Sequence, residues 1–342
     1  MRLKQLIGGV ILLAGLMITI TACSDDDDDD VLGNWLWMAD FDGVARSNAS
    51  SFVIDGVGYV ACGFDGYDQL KDLWAFNPDG SSRGSWTQKA SMPDEASERS
   101  SAVAFAVDGN GYVGTGFDGT DYLDDFWKYV PSTNSWVAID TFPGSARYGA
   151  VAFAFNGYGY VGCGNDGNDL KDFHVYDPAS GSWDTGITTS FPGTKRVGAS
   201  SFEIDGNVYL VGGMNNQKYV YDFWMLDINT GNWEQKNDIV NTSDESYDDD
   251  YSITRSYGVA FTINGLGYYT TGESGSLKSD AWEYNPVTDE WEEKTAFEGA
   301  SRYGAISMSF GDRAFVGLGR SSSYYFDDLY EFKPFEEYEE YD

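Results

Sequence analysis

Six arginines recur along the chain at positions 46, 99, 147, 196, 255 and 302, each six residues before Phe52, Phe105, Phe153, Phe202, Phe261 or Met308. Neighbours in the series are 47–53 residues apart, except Arg196 and Arg255, which are 59 apart. Self-similarity at such a period is the mark of stacked units, none of which can bury its own apolar face alone. A chain written this way is one repeat architecture rather than a set of independent domains.

Two more markers keep the same period. A short run leads from an aromatic at Tyr59, Tyr112, Tyr160, Tyr209, Tyr268 and Phe315 to a glycine at Gly63, Gly116, Gly164, Gly213, Gly272 and Gly319. An aspartate follows at Asp72, Asp125, Asp172, Asp222, Asp280 and Asp328, with Trp74, Trp127, His174, Trp224, Trp282 or Tyr330 two residues on. The copies are close: "GYVACGFDGYDQLKDLW" at 58–74 returns as "GYVGTGFDGTDYLDDFW" at 111–127. A polar turn and a tryptophan complete each unit, at Trp35, Trp86, Trp136, Trp183, Trp233 and Trp291. Alternating apolar residues, glycine-rich turns and the lack of an amphipathic helical pattern predict four short antiparallel strands per unit.

The glycine strand, the Asp-x-aromatic strand and the later tryptophan resemble the kelch repeat over residues 33–335. Strict kelch units end the second strand on a glycine pair, which only Gly212-Gly213 retains, so the chain reads as a divergent member. The resemblance implies an all-β, six-bladed kelch-type β-propeller with one four-stranded blade per repeat. The sixth unit lacks a tryptophan strand of its own. "GNWLWMADF" at 33–41 is a strand without a blade, so it is expected to close the ring. Closure removes open sheet edges, and a monomer is expected.

Before the repeats, Arg2 and Lys4 precede an apolar run at 6–20 and then Thr21-Ala22, the layout of a secretory signal over 1–22. "ITAC" at this place resembles the lipobox of bacterial lipoproteins, which implies lipidation of Cys23. Residues 23–32 hold a run of aspartates, an acidic tether that self-repels and extends. It resembles the serine-plus-acidic signal that sends lipoproteins to the cell surface in one group of Gram-negative bacteria. The expected location is therefore the bacterial outer membrane, lipid-anchored and facing outward. Residues 336–342 form an acidic tail. A net charge of −34 excludes nucleic acid as a partner, because phosphate binding needs Lys and Arg. Beyond Cys23 there are only Cys62 and Cys163, in units that are not neighbours, so two separate thiols are expected.

In a kelch blade the arginine begins the innermost strand, beside the pore, and the loop after the glycine strand emerges on the same face. Six arginines there have two readings: a positive funnel for a carboxylate or an acidic sugar, or structural pairing with the six repeated aspartates. The residue after each glycine varies round the ring: Phe64, Phe117, Asn165, Met214, Glu273 and Arg320. With Asp65, Tyr67, Asp118, Asp166 and Asn215 these form a mixed aromatic and polar rim of the kind sugar recognition uses. The stretch 237–254 accounts for the longer spacing, and its composition favours a disordered insertion over a lid or a calcium-binding loop.

Catalytic machinery is scarce. His174 is the only histidine and replaces a repeat tryptophan, which argues against a Ser-His-Asp triad, histidine-ligated metals and the copper galactose oxidases of this fold. "GESGSLKSDAWEY" at 272–284 resembles a stretch of the kelch-type sialic acid mutarotase, which implies Glu273 as acid/base with Lys278 where that family has arginine. No cofactor is expected. The leading expectation is a glycan or acidic-sugar binder at the arginine-bearing face. A protein-interaction platform in an outer-membrane assembly and a sugar mutarotase remain open alternatives.

Overall fold

The computed structural model describes residues 31–339, apart from 184–185, 187–189 and 228. The expected signal segment, Cys23 and most of the tether lie outside the described residues. The six repeats form six antiparallel sheets, and the strands that each repeat supplies follow sequence order from the pore outward, with blade 6 taking its outermost strand from the N-terminal side of the chain. In blade 1 these are Ser50–Ile54, Val57–Ala61, Leu73–Asn77 and Ser85–Lys89. Blade 3 shows three strands among the described residues.

The ring closes as its sequence requires. Asn34–Trp37 pairs antiparallel with Leu329–Lys333, the third strand of blade 6, with Asn34 opposite Lys333 and Trp37 opposite Tyr330. Trp35 is buried there, stacked on Phe332 at 4.3 Å and edge-on to Phe297 at 4.9 Å. Gly33 N–H also donates to Glu336 O, and Glu339 N–H to Asn34 Oδ1, so the start of the acidic tail runs beside this strand.

Side-chain size sets how the blades nest. In five blades the inner-strand Phe stacks on the Tyr opposite it, with ring planes within 8–16°. The edge of that ring then meets the second strand of the next blade. At Gly111, Gly159 and Gly267 a Cβ would lie 2.2 Å from the Phe of the preceding blade, so this part of the "GYV" motif is a place for a neighbour's ring. Small residues line the pore, where inner-strand hydroxyls bridge blades: Ser50 to Ala102 O, Ser200 to Gly258 O and Ser307 to Ala260 O, at 2.7–2.9 Å.

The insertion at 237–254 is ordered, contrary to its compositional reading. Ile239, Tyr251 and Ile253 are buried in the core between blades 4 and 5, and Val240 bridges to Ser252. Asp248 Oδ2 accepts from the N–H groups of Thr242 and Ser243, which ties off the tip. Three well-placed apolar and aromatic anchors outweigh the acidic residues between them. Among the described residues no group of three or more His, Cys, Asp or Glu is placed to hold a metal ion.

Candidate functional site

The arginines lie beneath the pore mouth rather than on it. All six are at most 1% exposed. Arg46 shows the pattern: Nε donates to Val44 O, Nη1 to Cys62 O and Asp72 Oδ1, and Nη2 to Asp72 Oδ2. Arg99, Arg147 and Arg302 likewise grip Asp125, Asp172 and Asp328 with both Nη atoms. Arg196 and Arg255 pair with Asp222 and Asp280 through Nη2. The aspartate in turn accepts from the indole two residues on, at 2.6–2.7 Å in blades 1, 2, 4 and 5. In blade 3, His174 Nε2 stands in for that indole, 3.0 Å from Asp172.

This favours the structural-pairing reading over the funnel, because each guanidinium is buried with most of its donors already engaged. Burial works against the charge of Asp125, but Arg99 and the Trp127 N–H together outweigh it and hold the carboxyl below its usual range. Asp172 and Asp280 are held down in the same way.

Two closed circles of backbone hydrogen bonds cross the same layer. Each strand-ending glycine donates to the carbonyl of the next blade's arginine: Gly63 to Arg99, Gly116 to Arg147, Gly164 to Arg196, Gly213 to Arg255, Gly272 to Arg302 and Gly319 to Arg46, all at 2.7–2.8 Å. Nearer the axis, the residues two after the arginines, Asn48, Ser101, Gly149, Gly198, Tyr257 and Gly304, bond head to tail round the pore at 2.8–3.0 Å.

The glycine is fixed twice over. Its φ is +86° to +109°, and a Cβ would come within 2.7–3.1 Å of a carbonyl oxygen of its own blade. The residue before it needs only the left-handed region, at φ 56–67°, which Cys62, Thr115, Cys163, Thr271 and Leu318 adopt as Gly212 does. That is why the kelch glycine pair can decay to one. Cys62 and Cys163 are free and buried at this position, and burial pushes both thiols up to about 12.

Above this layer each blade adds three rungs. The residue after the arginine bridges to the residue after the glycine, which bridges onward: Ser47–Phe64–Gln69, Ser100–Phe117–Tyr122, Tyr148–Asn165–Asp169, Val197–Met214–Tyr219, Ser256–Glu273–Leu277 and Tyr303–Arg320–Tyr325. Sequence reasoning found only the middle rung. The first lies beside an arginine that never varies and itself varies, a signal that was open to reading.

These rungs enclose a cup of about 530 Å³ at the pore mouth. Its wall holds the rings of Phe64, Phe117, Tyr122, Tyr148, Tyr257 and Tyr303, with Asn48, Gln69, Ser100 and Ser101 as polar members. Tyr122 packs on Phe117 at 5.8 Å and on Tyr148 at 5.1 Å. Tyr257 is a non-glycine residue at φ +53°, and its ring covers Gly149 and Gly198 across the axis. Burial first, then neighbours including Tyr148 and Glu273, raises its phenol above the ordinary value, so it is a neutral donor.

Of the other expected site residues, Asn165 and Met214 line a neighbouring cleft. Arg320 packs behind the cup wall at Tyr303, with its guanidinium over the rings of Tyr303 and Tyr325 at 5.2 Å and Nη1 donating to Tyr325 Oη at 2.9 Å. It enters no ion pair among the described residues, which distinguishes it from the six buried arginines. Glu273 and Lys278 are half-buried and enter no ion pair among the described residues either. Lys278 instead adds its charge to those holding Asp280 ionised.

Comparison with known proteins agrees with the architecture. A family model described as the KLHDC2/KLHL20/DRC7 Kelch-repeats domain matches residues 142–317. A solved structure titled "Structure of YjhT" superposes with a TM-score of 0.70 at 17% identity, over 85% of this chain and 95% of that one. No curated protein sequence matches the chain.

Proposed function

The chain belongs to the kelch-repeat family, and from that premise we propose that it is a membrane-anchored propeller that binds a glycan bearing a carboxylate in the cup at its pore mouth. The observation that carries this reading is the make-up of the cup wall. Six aromatic rings and a few amides and hydroxyls suit the CH faces and hydroxyl edges of a pyranose. Arg320 supplies the charge, in place of the buried arginine ring. A planar guanidinium with donors left over after Tyr325 and Ser321 is suited to grip a carboxylate in two places. Lipidation at Cys23 and display on the outer surface belong to the same proposal and rest on the N-terminal sequence alone.

A second reading, docking of a protein partner, draws on Tyr67 and Tyr324. They stand 91% and 72% exposed on loop tips of adjacent blades, and aromatics held in the open are common in protein interfaces. Calorimetric titration of the soluble fragment from Val31 with neutral hexoses, uronic acids and N-acetylneuraminic acid tests the first reading. Saturable binding of an acidic sugar that Arg320→Met weakens about tenfold and Phe117→Ala abolishes is the expected result. Heat-silent titrations throughout would refute it and leave the protein-docking reading. If a sugar binds, NMR of its anomers with and without Glu273→Gln decides whether the site also catalyses mutarotation.

A further inference from the structure

Beside the cup, and sharing Tyr148 as a wall with it, lies a second cleft of about 270 Å³ between the loops of blades 3 and 4. Its character differs. Val197 and Met214 give a small apolar floor, while Asn168, Asp169, Asn216 and Gln217 stand round it. The far wall is the tip of a two-residue hairpin between Met214–Asn215 and Lys218–Tyr219. Both tip residues, Asn216 and Gln217, have positive φ, 48° and 62°. Asparagine tolerates this region, but glutamine does so only at a cost that glycine would avoid, and strain of that kind collects at functional sites. The tip is also fastened from the other side of the cleft, because Asp169 Oδ2 accepts the Asn216 N–H at 2.6 Å. Asp169 Oδ1 meanwhile accepts from Asn165 at 2.7 Å. The Gln217 amide has no hydrogen-bond partner among the described residues and borders the open space.

From this we infer that the cleft is a second saccharide subsite, so that the natural ligand is an oligosaccharide with one unit in the aromatic cup and its neighbour against Asn168 and Gln217. The inference rests on the glycan reading of the cup. Tyr148 is the hinge of the argument, since one ring faces both cavities and a linked pair of sugars can lie across it without a gap. The amphipathic lining repeats on a smaller scale what the cup offers: a flat apolar patch for one sugar face and amides for its hydroxyls.

The test uses the fragment from Val31 and matched probes: galacturonic acid against its di- and trisaccharide, and N-acetylneuraminic acid against sialyllactose. An added sugar that occupies the cleft should tighten binding about tenfold over the monosaccharide. The double variant Asn168→Ala/Gln217→Gly should erase that gain while leaving monosaccharide affinity within about twofold. Glycine suits the hairpin tip, so a native melting temperature is expected, and it confirms folding. Equal affinity for monosaccharide and oligosaccharide would overturn the second subsite and leave the cup reading intact. Failure of every probe to bind would remove the cup reading and this inference with it. A gain that survives the double variant would place the second sugar elsewhere on the rim and also overturn the proposal.

Discussion

The arginine layer and the rim above it are built from adjacent residues of the same loops, yet they follow opposite rules. Arg302 and Gly319 have five equivalents each around the ring, whereas of their immediate successors Tyr303 recurs once, as Tyr148, and Arg320 not at all. Below, the charges and the backbone are closed upon partners: guanidinium on carboxylate, carboxylate on indole, and backbone on backbone round two complete circles. Above, rings and amides face open space. One residue along the chain thus separates what holds the propeller together from what it presents.

The sharpest way to break this contrast is to remove one buried guanidinium. Arg46→Met keeps the apolar stem but leaves Asp72 without its partner, and losing one side of a buried pair should cost about 3 kcal/mol by urea denaturation. A cost as small as that of a rim substitution would erase the distinction. Next comes the glycine pair, where two neighbouring changes should differ in sign. In Gly272→Ala a methyl meets Ser256 O at 2.7 Å with φ at +87°, so about 1–3 kcal/mol should be lost. Thr271→Gly relieves a left-handed threonine whose buried hydroxyl has no partner among the described residues, and should be neutral or stabilising by up to about 1 kcal/mol.

Acid should act on the lower layer. Asp125, Asp172 and Asp280 have depressed folded values, so their contribution is complete above the unfolded carboxylate value of about 4 and fades as pH falls through the folded one. Melting temperature should be level from about pH 5.5 to 8 and drop below about pH 4. A midpoint that instead fell on approaching pH 6 would implicate other groups. The smallest stability effect belongs to the rim: Phe117→Ala, half-exposed, should shift the denaturation midpoint by less than about 1 kcal/mol while removing sugar binding.

Much of this was legible beforehand because repetition exposes what is structural. Six copies predicted six blades, and the orphan strand at Trp35 predicted how they close. The partnership of Arg with Asp could be read as one option, but depth could not. Spacing places Arg46 at the pore face without saying that Phe41 and Asp72 cover it. The rim was read only at its middle rung: Tyr122 reaches the cup through a bridge between loops, while Tyr148 and Tyr303, each one residue after a repeat arginine, lay on the period and were passed over for the arginines themselves. The insertion misled because its acidic residues dominate its composition, while Ile239, Tyr251 and Ile253 decide its packing.

The closing strand also gives the ring a direction. Asn34 pairs with Lys333, at the end of its strand remote from Asp328 and the cup, and the chain then climbs toward Phe41 and Arg46. Whatever precedes Gly33 therefore joins the propeller on the side opposite the cup. The direction of the ring thus follows from which end of one four-residue strand comes first.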